Sequence, residues 1–127
     1  MEEIIALFGE SEKGQFHTPY YCQSIIDLCE TLGNPPKDSQ GLFFAIQAIF
    51  FNRSLLFFRV EEEGFSIEDY LKGIKQLQDV ANMKKIKALC FPGVGSKEII
   101  EATHPILYNH KSLLITTEKD FYDYLTL

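Results

Sequence analysis

A three-layer α/β/α sandwich with a mainly parallel sheet of four or five strands, in a Rossmann-like or flavodoxin-like order, is the fold class this sequence predicts. Short apolar runs without in-out alternation occur at residues 4–8, 55–60, 86–91 and 113–116, the pattern of strands covered on both faces. Stretches with helical period separate them. The 127 residues, 46% hydrophobic and 24% charged, suffice for one α/β domain over 1–127 with a real core.

The first strand is expected at residues 4–8. From Tyr20 to Leu32 the apolar set Tyr21, Cys22, Ile25, Ile26, Cys29 and Leu32 makes one helical stripe, and Gly33, Asn34, Pro35 and Pro36 end it. A second helix is expected to start at Ser39 and to cover 41–51, apolar nearly all round, with Asn52 as the left-handed residue that closes it. A connection of two helices between the first two strands is unusual, and it has room for a short extra strand.

After the strand at 55–60, Ser66 with Asp69 resembles a capping box that opens a third helix, whose stripe is Ile67, Tyr70, Leu71, Ile74, Leu77 and Ala81. The strand at 86–91 is followed by a turn at 92–95 and a short helix capped by Ser96, which Pro105 interrupts. His104 and His110 are expected in exposed connections. Thr117 caps a last helix in which Phe121, Tyr124 and Leu125 face inward.

Twelve basic and 18 acidic residues give a formal net charge of -6, which repels polyanions and disfavours nucleic acid as a partner. Glu61, Glu62 and Glu63 read as a solvated turn. Three cysteines without a Cys-x-x-Cys pair argue against a disulfide framework or a zinc cluster and fit a reducing, cytoplasmic location. Cys22 and Cys29 are expected to face the interior, as is Cys90 at the end of its strand. The acidic start at Met1, Glu2 and Glu3 is unlike an export signal. The most membrane-like window, 42–60, is broken by Gln47, Asn52, Arg53 and Arg59, so no membrane association is expected.

Ligands of open parallel sheets collect at the carboxyl ends of the strands. Four loops would meet there: 9–18, 61–64, 92–96 and 116–118. Gly93, Gly95 and Ser96 join a strand to a helix N-terminus, where free amides can hold an anion. With Glu10, Ser11, His17, Thr116 and Thr117 they form the candidate site for a small phosphorylated or carboxylate ligand. No cofactor is implied, and no nucleophile or base can be placed.

Glu10 directly after the first strand, together with the acidic loop after the second, could share a divalent cation in a metal-dependent phosphoryl hydrolase. At Glu10 this layout resembles the Toprim fold, where a Glu follows the first strand and an Asp-x-Asp pair follows a later one; the nearest spacing here is Asp120 with Asp123, within the last helix. The remaining reading is a non-enzymatic interaction module. Phe43 and Phe44 diverge by about 100° on a helix, as do Phe50 and Phe51, so one side is left for a partner, most simply a second copy in a homodimer.

Overall fold

The computed structural model describes residues 3–127, so the acidic start at Met1 and Glu2 lies outside the described residues. The chain forms strands β1 (Glu3–Gly9), β2 (Pro19–Cys22), β3 (Leu55–Arg59), β4 (Lys85–Cys90) and β5 (Leu113–Ile115). Its helices are α1 (Ile25–Leu32), α2 (Gly41–Phe50), α3 (Ile67–Val80), α4 (Lys97–Ala102), α5 (His104–His110) and α6 (Glu118–Leu125). The strand order is β2-β3-β1-β4-β5. β1, β3, β4 and β5 run parallel, and β2 is antiparallel to β3 at one edge.

The apolar runs become strands because both of their faces are covered. Ile5 and Leu7 face a core shared with Leu28, Leu42, Phe44 and Phe121, which places α1, α2 and α6 on one side of the sheet. Ile4, Ala6 and Phe8 face a second core with Tyr70, Ile74, Ile99 and Ile106, which places α3, α4 and α5 on the other. Phe8 stacks on Phe58 at 4.5 Å and meets Phe91 edge-on at 4.6 Å, so ring contacts on the α3 face tie β1 to β3 and to the residue that follows β4. Among the described residues no helix is long and apolar enough to cross a membrane.

Where β1 meets β4 the register shifts: Ile4 pairs with Ile86 and Ile5 with Ala88, leaving Lys87 as the extra residue of a β-bulge. Bulges are uncommon in parallel pairs and re-aim the side chain they release.

Several sequence expectations are corrected. The stripe from Tyr20 to Leu32 is not one helix: residues 19–22 form the edge strand β2, and Ser24 caps α1 by accepting from the Asp27 N–H at 3.1 Å. Splitting the stripe rotates α1, so Cys22 is buried while Cys29 points outward with Ile26. Ser39 does not cap α2; its hydroxyl donates to the Pro36 carbonyl at 2.6 Å. Ser66 makes no side-chain cap, because its hydroxyl donates to the Glu62 carbonyl and Asp69 is engaged elsewhere. Ile67, expected to face inward, is 38% exposed.

Pro105 interrupts α4 as expected but also opens α5, since proline fits the first turn of a helix. His104 and His110 therefore sit on a helix, and His110 Nδ1 accepts from the Ile86 N–H at 3.2 Å. Asn52, with φ 60°, is left-handed as expected, and Thr117 caps α6.

Candidate functional site

The carboxyl ends of β1, β3, β4 and β5 converge on one edge, and the loop after β3 crosses the end of β1. It carries Glu63 into the amides that begin α2. The Glu63 carboxylate accepts from the N–H groups of Glu10 at 2.8 Å, Gln40 at 2.8 Å and Gly41 at 2.9 Å. Glu10 returns the bond, its carboxylate accepting from the Glu63 N–H at 3.0 Å. α2 has no side-chain cap of its own, so a carboxylate 22 residues away supplies both the hydrogen bonds and the negative charge its N-terminus favours. The expectation that residues 61–63 form a solvated turn holds for exposed Glu61 and Glu62, and Glu63 departs from it.

Two glycine contacts make this docking sterically possible. A Cβ on Gly9 would lie 2.7 Å from the Gly41 Cα, and a Cβ on Gly64 would lie 2.6 Å from the Gly93 carbonyl oxygen. Behind the loop, the buried Tyr70 hydroxyl accepts from the Gly64 N–H at 2.7 Å. Burial raises the Tyr70 pKa well above its ordinary value, and the charges of Glu63, Glu10 and Asp69 add to that rise against the lowering by the Gly64 amide.

The residues nominated from sequence lie at this edge in separate roles. Glu10 joins the Glu63 lock. Ser11 is buried, with its hydroxyl on the Lys13 carbonyl at 2.8 Å. His17 has a left-handed backbone, φ 59°; its Nε2 is 2.7 Å from the Asp69 carboxylate, and its carbonyl accepts from the Gln76 side chain at 2.7 Å. These bonds tie the loop after β1 to the outside of α3.

Gly93 donates its N–H to the Thr116 carbonyl at 3.2 Å, which joins the loops after β4 and β5. Gly95 is open. Ser96 accepts from the Ile99 N–H and Thr117 from the Asp120 N–H, so both hydroxyls cap their own helices. Glu10 and Glu63 are thus brought together, as are Gly93 and Thr116, whereas His17 and Ser11 face other neighbours. Among the described residues, no group of three or more His, Cys, Asp or Glu side chains is placed to hold a metal ion. Asp120 and Asp123 both lie on α6.

The layer of α1 and α2 presents a different surface. α2 reads GLFFAIQAIF, without a charged residue. Its inner side buries Leu42, Phe44, Ala45 and Ala48, and Phe44 stacks on Phe121 at 4.8 Å. Phe43 and Phe50 point outward, 55% and 73% exposed, with the half-buried Ile46 between them at helical spacing. Phe51 at the end of α2 and Ile26 on α1 are also exposed, the latter by 67%. Of each phenylalanine doublet on α2, the sequence alone could show only that the two diverge; packing against α6 selects Phe44 as the inner member of the first. Comparison of the chain with protein-family models, curated proteins and solved structures finds no match to any of them.

Proposed function

We propose that this protein is a non-enzymatic interaction module that self-associates through the outer face of α2. The observation that carries this reading is the uncharged stripe of Phe43, Ile46 and Phe50. A chain of net charge -6 repels a second copy over most of its surface, but α2 itself brings no charged residue to such a contact.

At about 200 Å² per large side chain, the exposed parts of Phe43, Phe50, Phe51 and Ile26 amount to on the order of 500 Å², more than half of the about 800 Å² per partner in a standard interface, whose remainder is a polar rim. The largest apolar patch of a typical monomer is about this size and is often functional. A two-fold axis at α2 would bury the same residues on both copies.

An anionic ligand at the carboxyl ends draws less support from the geometry. Most polar groups that would receive it are engaged internally, and the best-formed cluster of amides already holds Glu63. A metal-dependent hydrolase draws less still, because Glu10 and Glu63 both spend carboxylate oxygens on backbone amides.

Light scattering on the purified chain tests the proposal. The wild type should have twice the mass of one 14.6 kDa chain, and Phe50→Glu, an exposed substitution, should return it to one chain while retaining its circular dichroism. A wild type that stays at one chain mass at several hundred micromolar would overturn it, as would a dimer indifferent to both Phe50→Glu and Phe43→Glu.

A further inference from the structure

At the opposite edge, the amino ends of the strands, a hollow of about 170 Å³ opens among Glu3, Asn52, Arg53, Ser54, Lys87 and Tyr124, with β1 at Ile4 and Ile5 as its floor. Arg53 is half-buried, yet its charge meets no carboxylate among the described residues. One guanidinium nitrogen donates to the Tyr124 hydroxyl at 3.3 Å, and the group lies 5.1 Å from the centre of that ring. These contacts hold the guanidinium in place and leave most of its five N–H donors unspent.

The second cation is placed by backbone geometry. Lys87 is the bulged residue of β4, the one position in that pairing without a partner on β1, and it lines the same hollow. Its only ion pair among the described residues is with the exposed Glu3 carboxylate at a loose 3.6 Å. A bulge in a parallel pair interrupts the ladder, and here it coincides with a lysine and an unpaired arginine around one polar concavity.

We propose that this hollow is a binding site for a single oxyanion group of the phosphate or sulfate type. Arg53 presents its planar fork to two oxygens and Lys87 adds a point charge, while Asn52 and Ser54, whose hydroxyl accepts from the Gln23 side chain at 3.3 Å, line the hollow beside them. The hollow, about 170 Å³, admits a group of the size of one tetrahedral anion. Glu3 competes with the ligand for Lys87. The site belongs to one chain and does not rest on self-association through α2.

Calorimetric titration with inorganic phosphate at fixed ionic strength tests the site, with sodium chloride as control and methyl phosphate as a second probe. Saturable binding of phosphate by the wild type is expected, weakened at least tenfold by Arg53→Met and severalfold by Lys87→Met, with Glu3→Gln binding more tightly than the wild type. Methyl phosphate binding as well as phosphate identifies a site that takes the group on a carrier; phosphate alone identifies one for the free ion, and either supports the proposal. Lys87 and Glu3 are exposed enough for their variants to fold should Arg53→Met fail. Absence of saturable heat from both probes, or binding unchanged in Lys87→Met and Glu3→Gln, would overturn it.

Discussion

The two ends of the sheet handle charge in opposite ways. At the carboxyl ends, the half-buried Glu63 carboxylate is met by three backbone N–H groups, and Glu10 returns a fourth bond. At the amino ends, Arg53 and Lys87 line a polar hollow, and the Glu3 carboxylate meets Lys87 at a loose 3.6 Å. The contrast teaches that a fold's habitual ligand position is a location and not a site. A donor cluster that the chain satisfies itself stabilises the fold, whereas a charge whose hydrogen-bonding capacity is only partly used is what a ligand can engage.

Three changes would break or sharpen this contrast. The largest effect is expected from Glu63→Ala, which removes the acceptor of three amides at once. A loss of about 3 kcal/mol in urea unfolding is expected, since hydrogen bonds to charged groups contribute about 1.5–3 kcal/mol each and water recovers part of the total. A loss near zero would mean that the carboxyl edge is as open to a ligand as the amino edge.

Gly9→Ala should follow at about 2 kcal/mol, because its Cβ would meet the Gly41 backbone at 2.7 Å and the Glu63 carboxylate at 3.0 Å, forcing the two elements apart. Urea unfolding reads it equally well. If the variant is as stable as the wild type, the close approach that seats Glu63 is dispensable.

The smallest effect is a slope. Burial holds the Tyr70 phenol above its ordinary 10.0, so above that pH the native state binds more protons than the unfolded chain. Stability from this group is intact below pH 10 and is lost as pH rises beyond it. Tyr70→Phe should flatten the fall in melting temperature between pH 10 and 11, whatever its effect at neutral pH from the lost Gly64 bond. An unchanged slope would mean that the phenol titrates freely beneath the loop.

Much of the framework was legible because local pattern and burial agree. Residues 4–8 are apolar without alternation and lie within β1, covered on both sides, and the period of 67–81 traces α3. β2 was hidden because Tyr21 and Cys22 continue into Ile25 at a helical interval, so a four-residue strand and the first turn of α1 share one apolar run. α5 was hidden by Pro105, read as a stop although proline also suits a helix start.

The Glu63 lock was illegible for a different reason. Its partners are 22, 23 and 53 residues away in the chain, and no local rule distinguishes Glu63 from the exposed Glu61 and Glu62 beside it. The nearest hints were Gly64 next to it and Gly41 at the start of α2, glycines whose contacts appear only once the chain is folded. The Arg53 hollow was equally remote, because it needs a register shift that no sequence period records.

The central claim concerns the α2 face, and fluorine NMR of the chain labelled with fluorophenylalanine tests it most directly. Phe65, 69% exposed on the loop after β3, serves as an internal control. On dilution, the signals of Phe43 and Phe50 should shift together with one dissociation constant while that of Phe65 stays fixed. Signals of Phe43 and Phe50 that do not change with concentration, or a shift of Phe65 in their place, would contradict self-association through α2.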